Sequence, residues 1–548
     1  MRKRIVFKRN MYILALYIVL FSALWWRLKV DTVDDAGKLG VWADMQYSEK
    51  VNLSELNYSL FDINGKSLLS FKNKYFAVID EGAFKKNNLD AKSDDLYALI
   101  YILQSYNPSY DLSTLGLSNK EKKVTFEIDE ATYNKLKSIK DVKGFYIYSF
   151  SEVDRSKAWK IENLLTNIID PSGGHKKSED SLEMQVYNKT KNNDPAYMKF
   201  NKDIDGNITS ETFSNSEKNN NVRLTIDSNI EDKINDVLSS SKYSKFNQVS
   251  AILMESNTGK ILAMNQKDDT QANLNLGSKT ENGFEPGSIF KSIVEETGFM
   301  QKTLSLADNY SCKQKTYSGL YDKCPDKNHG ILNAEDAFIV SCNNIYAQIG
   351  DKVGRKNFLD TAKAEGLFSK ILGFDSEVTG DFAQLKDYEL SGQLAIGQSM
   401  RITPVQAISI PNTIINGGNY IKPYIIDAYV DNSNNAKEQV NTQSSKIFDK
   451  ATANIMKNEM IKVVRYGTGT AAYLDNIEVG GKTGTTTRYD KKTKASDGWF
   501  AGFFKIKDKY YSMVVFVKDI DIKNEEAANT AVPIFKDIVL SLSSYLEK

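Results

Sequence analysis

The chain has 548 residues, enough for two to four domains that each bury a hydrophobic core. Its charge is nearly balanced, with 71 basic against 70 acidic residues, which argues against a nucleic-acid-binding protein with a basic surface. Only two histidines are present, His175 and His329, and they lie far apart in the sequence. A Ser-His-Asp triad or a histidine-rich metal site is therefore not expected, and serine chemistry in this chain needs another base.

The N-terminus predicts a membrane location. Residues 1–10 are strongly basic and precede an apolar run over 11–26, and basic residues on this side favour a cytoplasmic N-terminus. The run is short of the roughly 20 residues that span a bilayer, but tryptophans at its end suit the far interface. We predict a cytoplasmic tail over 1–10, a transmembrane anchor over 11–29 and an extracytoplasmic remainder, as in a single-pass protein of the cell membrane. The alternative is a cleaved signal peptide, although bulky residues stand where its small-residue cleavage site belongs.

The remainder divides at about residue 221. Residues 30–221 predict an α+β domain without obvious chemistry, and residues 188–221 have the polar composition of exposed loops or a linker. After the boundary, short strands joined by tight turns occur near both ends of 222–548, which predicts an antiparallel sheet. Helical patterns lie between its first and last strands. The predicted fold class is therefore α+β.

The three cysteines are Cys312, Cys324 and Cys342. An exported chain permits disulfides, and Cys312 and Cys324 bracket a polar loop. A bridge between them and two unpaired thiols both fit the sequence. Two cysteines in one loop, without further ligands, make a poor zinc site, so we predict neither a metal nor a cofactor.

The first stretch that suggests chemistry contains Ser288 and Lys291. Pro286 and Gly287 interrupt whatever precedes them, and an apolar-periodic run follows, as at the start of a helix. Residues three apart on a helix share one face. Serine is a poor nucleophile until a base removes its proton, and burial can lower a lysine's pKa enough for that role. The motif alone is weak, since Ser239-Ser240-Ser241-Lys242 has the same spacing.

Two further polar stretches stand at the ends of predicted elements: Ser341-Cys342-Asn343 after a helix, and Lys482-Thr483-Gly484-Thr485 on a strand. Each has an ordinary explanation, as polar groups at a helix end or as an exposed strand lysine. The occurrence of all three stretches in this order favours one shared active site.

The three stretches together resemble the signature of the penicillin-binding proteins and serine β-lactamases: Ser-x-x-Lys, Ser-x-Asn and Lys-Thr-Gly. Flanking stretches across 222–520 are similar to the transpeptidase domain of penicillin-binding proteins, among them Gly467-Thr468-Gly469-Thr470 and Asp497-Gly498-Trp499-Phe500. Asp62-Ile63-Asn64-Gly65 is similar to the start of the pedestal in class B members, although Asn57, Tyr58 and Ile63 depart from the usual Arg, Gly and Arg. The resemblance implies a class B protein with an anchor, an elongated α+β pedestal over 30–221 and a transpeptidase domain over 222–548.

The resemblance also implies roles in a peptidoglycan D,D-transpeptidase reaction. Ser288 would attack the penultimate D-alanine of a stem peptide and release the terminal D-alanine, with Lys291 as the base. Ser341 would relay a proton, Asn343 would hold the substrate amide, and Lys482 would supply positive charge. The substrate-binding strand would comprise Thr483, Gly484 and Thr485, and the backbone N–H groups of Ser288 and Thr485 would form the oxyanion hole.

The expected partners are peptidoglycan stem peptides on lipid II-derived glycan strands, β-lactams as covalent inhibitors and, by resemblance to class B members, a membrane glycosyltransferase. Nucleic acid is not an expected partner. Two alternatives differ in kind. A β-lactamase would need a group that activates water, which we do not identify, and would have no use for the large N-terminal part. A non-catalytic β-lactam receptor would need a cytoplasmic output, for which about ten residues remain.

Overall fold

The computed structural model describes residues 2–88, 93–114, 123–216, 218–312, 324, 328–382, 391–489, 494–521 and 523–547. The chain forms two compact units. The first comprises Met1–Asn57, Phe71–Val153 and Asp194–Ser216, and the second comprises Tyr58–Ser70, Asp154–Asn193 and Glu217–Lys548. The predicted limits of 30–221 and 222–548 stay predictions. The compact units differ from a single cut at residue 221 because residues 58–70 and 154–193 pack with the second unit.

The α-helices within these described residues are numbered in chain order. They are α1 Arg2–Lys29, α2 Ala36–Tyr47, α3 Glu81–Asn88, α4 Asp94–Tyr106, α5 Glu130–Leu136, α6 Ile161–Thr166, α7 Leu182–Thr190, α8 Ser228–Leu238, α9 Lys291–Met300, α10 Ala334–Ile339, α11 Asn343–Val353, α12 Arg355–Ala364, α13 Ser391–Ala395, α14 Pro404–Ala407, α15 Ser409–Ile415, α16 Lys450–Tyr466 and α17 Ala531–Leu546.

The strands in the same part of the chain are numbered likewise. They are β1 Ser48–Asn52, β2 Leu60–Phe61, β3 Phe71–Asp80, β4 Lys123–Ile128, β5 Phe145–Val153, β6 Tyr197–Lys202, β7 Ile208–Ser214, β8 Asn221–Leu224, β9 Gln248–Glu255, β10 Lys260–Gln266, β11 Asn309–Cys312, β12 Gly330–Asn333, β13 Asp381–Phe382, β14 Met400–Arg401, β15 Asn419–Ile421, β16 Ile426–Val430, β17 Ala436–Gln439, β18 Ser444–Lys446, β19 Val479–Tyr489, β20 Lys494–Ile506 and β21 Lys509–Ile520.

Helix α1 contains the predicted anchor. Among the described residues, one helical stretch, Arg4–Asp34, is long and apolar enough to cross a membrane. Its large apolar side chains, such as Phe21 and Trp25, are exposed and have no protein core to cover them. A membrane anchor and a signal sequence share this form. The prediction of an N-terminal apolar helix is confirmed.

The first unit contains two three-stranded antiparallel sheets, ordered β1-β6-β7 and β4-β3-β5. Helices α4 and α5 contribute Leu99, Leu103 and Leu136 to a core against the second sheet. The prediction of loops over residues 188–221 was wrong for part of that stretch, since β6 and β7 lie there. Phe200, which is fully buried, gives this otherwise polar hairpin a core contact.

The second unit is built on a five-stranded antiparallel sheet, ordered β10-β9-β21-β20-β19. Asp227 caps α8, whose buried Ile230, Ile234 and Leu238 follow helical spacing and pack with α17 in one core beside the sheet. Helices α9 to α16 lie in sequence between β10 and β19. The α+β class, with an antiparallel sheet flanked by helices, is therefore confirmed.

Helix α9 lies in the interior of this unit. Residues 291–298 are all buried, and they include Lys291, Glu295 and Glu296. A helix that is buried on all of its faces normally carries apolar residues. The buried ionisable groups on α9 therefore need a specific explanation.

Candidate active site

Ser288 lies in a 3-10 turn, Gly287–Phe290, that leads directly into α9. The turn is held by a hydrogen bond from the Gly287 N–H to the Gly397 carbonyl, at 3.0 Å. Gly397 has φ +76°, and an added Cβ there would lie 2.0 Å from the Gly287 oxygen, so only glycine fits. The Ser288 side chain is half-buried, and its hydroxyl makes no hydrogen bond to any described residue. A nucleophile placed in this way is open to a substrate.

Lys291 is fully buried. Its Nζ donates to the Ser341 carbonyl and to Asn343 Oδ1, each at 2.7 Å, and lies 3.2 Å from Ser341 Oγ. Burial lowers the pKa of Lys291 to about 7, although the Cys342 and Cys324 thiols act in the opposite direction. A neutral amine has two N–H bonds, which the carbonyl and amide oxygens accept. Its lone pair then remains available to take a proton.

Ser341 lies between two lysine amines. Lys482 Nζ donates to Ser341 Oγ at 2.8 Å, on the hydroxyl that Lys291 also approaches. Ser341 has φ +57°, a left-handed conformation that is uncommon outside glycine. Lys482 is fully buried, and burial and then the proximity of Lys291 hold its pKa well below the usual range. A hydroxyl between two amines is suited to pass a proton from one side of the site to the other.

Strand β19 carries the third motif past the Ser288 turn. An added Cβ at Gly484 would lie 2.6 Å from the Pro286 carbonyl oxygen, so glycine permits this close approach. Thr483 Oγ1 lies 2.6 Å from Thr468 Oγ1. The Thr485 side chain is exposed, and its Oγ1 accepts a hydrogen bond from the Ala527 N–H at 3.0 Å. The strand therefore presents hydroxyl groups next to the serine turn.

Two supporting groups had no signal in the sequence. Tyr346 places its ring 5.2 Å below Lys291 Nζ and donates its hydroxyl to Glu295 Oε2. Burial raises the pKa of Glu295 to about 8, so this carboxyl is protonated at neutral pH. Thr468, which contacts Thr483, lies in Gly467-Thr468-Gly469-Thr470, whose only signal in the sequence is its similarity to the transpeptidase domain. Four-residue spacing puts Glu295 on the Lys291 side of α9, but its burial depends on the tertiary fold.

The structure thus brings the three predicted motifs to one place. Lys291, Ser341, Asn343 and Lys482 are joined by hydrogen bonds, and Gly484 lies against the turn that carries Ser288. Chemically, this arrangement offers a serine nucleophile, a lysine of lowered pKa, a relaying hydroxyl and a second amine. Such a set can carry out acyl transfer through serine.

Relatives of known function have limited identity to the chain. It is 25% identical over 294 residues to a peptidoglycan D,D-transpeptidase FtsI homolog of Mesostigma viride, which covers 47% of this chain and 49% of the relative. It is 24% identical over 392 residues to stage V sporulation protein D of Bacillus subtilis, a match that covers 67% of this chain and 60% of the relative. The chain therefore spans between about half and three fifths of the length of these relatives.

Solved structures match over a larger share of the chain. A peptidoglycan synthetase from Bifidobacterium adolescentis superposes with a TM-score of 0.63 at 19% identity, covering 91% of this chain and 97% of that one. Penicillin-binding protein 2B from Streptococcus pneumoniae superposes with a TM-score of 0.61 at 17% identity, covering 91% of this chain and 99% of that one. Penicillin-binding protein 3 from Mycobacterium tuberculosis, complexed with aztreonam, superposes with a TM-score of 0.60 at 16% identity, covering 91% of this chain and 97% of that one. These matches show a shared fold.

The comparison with protein families gives the assignment. The model of the penicillin-binding protein transpeptidase domain matches residues 249–540, which is more than half of the chain and includes all three motifs. The resemblance to the penicillin-binding proteins is thereby confirmed. The chain belongs to the penicillin-binding protein transpeptidase family.

Proposed function

We propose that the protein is a peptidoglycan D,D-transpeptidase that forms an acyl-enzyme on Ser288. The observation that carries the proposal is the contact of two buried lysine amines, Lys291 and Lys482, with one hydroxyl, that of Ser341. A structural core does not gain from two buried amines side by side, because each loses hydration and repels the other. A site that must take up and return a proton does gain from them.

In the first half-reaction, Ser288 Oγ forms a bond to the carbonyl carbon of the penultimate D-alanine. The proton of Ser288 passes to the neutral Lys291 amine. The bond from that carbonyl to the terminal D-alanine breaks, and the departing amine receives a proton through Ser341, which hydrogen-bonds both lysines. The developing oxyanion is stabilised by the backbone N–H groups of Ser288 and Thr485.

In the second half-reaction, the amine of another stem peptide attacks the acyl-enzyme. A new amide forms as the attacking amine gives up a proton to the neutral Lys291, the bond to Ser288 Oγ breaks, and the serine recovers that proton from Lys291. Thr483 and Thr485 bind the carboxylate of the donor peptide through their hydroxyls, and the Lys482 side chain adds positive potential when protonated. Asn343 holds the substrate amide. β-Lactams acylate the same serine, and slow release of the product makes them inhibitors.

The location proposed for this reaction is the outer side of the cell membrane. Helix α1, in which basic residues precede an exposed apolar stretch, supports a single-pass anchor with the rest of the chain outside. The substrates would be stem peptides on lipid II-derived strands, and a membrane glycosyltransferase that makes those strands is the proposed partner. Intact mass of the membrane-extracted protein distinguishes a retained anchor from a cleaved signal peptide, since cleavage removes the first residues.

Covalent labelling tests the function. The full chain, solubilised in detergent, is incubated with a fluorescent penicillin beside Ser288→Ala and Ser239→Ala variants. Ser239 is an exposed serine three residues before Lys242, so it is a matched control for the spacing of the motif. We expect stable labelling of the wild type and Ser239→Ala, and none of Ser288→Ala.

Other outcomes separate the rival functions. Rapid loss of the label with catalytic turnover of the penicillin would identify a β-lactamase. Stable labelling of Ser288 without cross-linking of a lipid II polymer would identify a receptor. Equal labelling of wild type and Ser288→Ala would remove Ser288 from the nucleophile role.

A further inference from the structure

Two aromatic rings lie beside the two buried lysine amines. Lys291 Nζ lies over the Tyr346 ring, 5.2 Å from its centroid, and Lys482 Nζ lies over the Phe338 ring at 5.5 Å. The two rings also pack against each other, with centroids 6.3 Å apart and planes tilted by 51°. Both side chains are fully buried. Each amine thus faces the surface of a ring, which is the electron-rich part of an aromatic side chain.

The turn at Ser341 holds both rings in place. Phe338 lies near the end of α10, and its carbonyl accepts a hydrogen bond from the Ser341 N–H at 3.1 Å. Tyr346 lies in the first turn of α11, and its N–H donates to the Cys342 carbonyl at 3.1 Å. The same turn places the Ser341 hydroxyl between the two amines. The relaying hydroxyl and the two rings therefore belong to one local segment of the chain.

Neither amine has a carboxylate ion-pair partner in the described part of the chain. Lys291 and Lys482 donate to carbonyl, hydroxyl and amide oxygens. Glu295 accepts instead from the Tyr346 hydroxyl, and burial raises the pKa of Glu295 to about 8. Burial and then Glu295 raise the pKa of Tyr346 well above the usual range, so the phenol keeps its proton and this hydrogen bond. A positive charge on Lys291 therefore needs another source of stabilisation.

We propose that the Tyr346 ring stabilises the positive charge that Lys291 acquires as the base, in place of a carboxylate counter-ion. This inference rests on the proposed acyl transfer, in which the Lys291 amine takes the proton of Ser288. A ring face attracts a charged amine much more than a neutral one, so it favours proton uptake at the moment the charge forms. A carboxylate in the same place would hold the lysine in its charged form throughout. Tyr346 acts through Lys291 and is therefore a positioning residue.

Other titratable groups lie on α9 or near it. They are Glu295, Glu296, Glu365, Glu459, Lys482, Cys324 and Cys342. Burial raises the pKa of each of the four carboxyls above its usual range. Burial lowers the pKa of Lys291, and the two thiols oppose that effect. A substitution at Tyr346 removes none of these groups, so a change in the titration of Lys291 that is confined to this substitution belongs to the ring.

The pH profile of acylation tests the proposal. The full chain, solubilised in detergent, is acylated with a fluorescent penicillin between pH 5 and pH 8.5, and the midpoint of the rise in rate reports the titration of the base. We expect Tyr346→Leu to lower this midpoint by about 1 pH unit, because a desolvated cation–π contact is lost. Tyr346→Phe keeps the ring, so its midpoint should stay within about 0.3 pH unit of the wild type. Phe338→Leu is the matched control: it removes a buried ring that faces the other amine, so the midpoint should not fall.

Melting temperature gives a second measurement, which does not depend on acyl transfer. Tyr346→Leu is compared with Tyr346→Phe, since both variants lose the hydroxyl and only the first loses the ring. At pH 8.5 the Lys291 amine is mostly neutral in both folded variants, so their difference reflects packing. At pH 5 the amine is charged in both, and the attraction of the ring is lost as well from Tyr346→Leu. We expect the difference in melting temperature to be about 2 °C larger at pH 5 than at pH 8.5.

Glu295→Gln tests the carboxylate as the alternative source of charge. Glutamine keeps an oxygen that accepts from the Tyr346 hydroxyl but cannot ionise, so we expect an unchanged midpoint. A midpoint that falls in Glu295→Gln and not in Tyr346→Leu would identify a carboxylate counter-ion and overturn the proposal. An unchanged midpoint in Tyr346→Leu, or an equal fall in Phe338→Leu, would also overturn it. A wild type that is not acylated would refute the proposed function, and the melting comparison would still decide the role of the ring.

Discussion

Gly484 is the point where strand β19 comes closest to the turn that holds Ser288. A Cβ added there would lie 2.6 Å from the Pro286 carbonyl oxygen and 3.0 Å from Ile289 Cγ2. Contacts below 3.0 Å force something to move. Because the nearest atom belongs to the backbone, no side-chain rotation relieves the clash. The Gly484→Ala variant must therefore separate the strand from the serine turn.

The expected effect is larger on acylation than on folding. Overpacking of this kind costs about 1–3 kcal/mol of stability, which a domain of this size tolerates. A displacement of about 1 Å between reacting groups can cost about 10²-fold in rate. We expect the second-order rate constant for acylation of Ser288 by a fluorescent penicillin to fall by about 10–100-fold. The rate is measured from label time courses at several concentrations, with thermal unfolding recorded in parallel.

Gly298→Ala is the matched control. It lies on α9, the helix that begins at Lys291, and its added Cβ would lie 2.8 Å from Leu304 Cβ and 3.0 Å from Val353 Cγ2. We expect a comparable loss of stability with an acylation rate within about threefold of the wild type, because the clash lies at the far end of the helix. Wild-type acylation in Gly484→Ala, or an equal loss in Gly298→Ala, would refute the assigned role of this contact.

Two further experiments address the proposed role of Lys291 as the base. Burial lowers the pKa of Lys291 to about 7. Below that pH, the fraction of Lys291 in the neutral form rises about tenfold for each unit of increase in pH. The acylation rate should therefore rise from about pH 5 and level off above about pH 7; a rate that does not vary over this range would contradict Lys291 as base. Asn343→Asp puts a carboxylate where an amide oxygen lies 2.7 Å from Lys291 Nζ. The negative charge should raise the pKa of Lys291, so the rise in acylation rate should move to higher pH and acylation at pH 7 should slow by about tenfold or more. An unchanged pH profile would count against Lys291 as the base.

The sequence predicted the members of the candidate site because each motif is a local pattern. Ser288 and Lys291 lie at a helix start that Pro286 and Gly287 announce, and the five strands of the main sheet follow from short apolar runs with tight turns. The meeting of these motifs at one site could not be predicted from local patterns. That Lys291 and Lys482 reach one hydroxyl depends on the left-handed turn at Ser341, which has no signature in a non-glycine residue.

Long-range packing explains what the sequence could not predict. The hairpin over 197–214 is polar at most positions, and a buried Phe200 identifies it only once its partners are known. The sequence analysis considered Cys312 and Cys324 as a pair within one loop, because His329 and Cys342 lie outside that loop in the sequence. The β11–β12 register sets Cys312 opposite Gly330 and so brings His329 next to Cys312.

Buried acidic residues on α9 and α16 bear on the proposal that a lysine serves as a base near neutral pH. Burial raises the pKa of Glu295 to about 8, and burial also raises the pKa of Glu296 and Glu459 well above the usual range. Glu295 is therefore protonated at neutral pH, so no ion pair with it holds Lys291 in its charged form. Burial consequently dominates the pKa of Lys291, and Lys291 in turn lowers the pKa of the neighbouring Lys482. In the proposed reaction, a chain with two histidines thus obtains a base of near-neutral pKa by removing water and carboxylate charge from a lysine, rather than by using an imidazole.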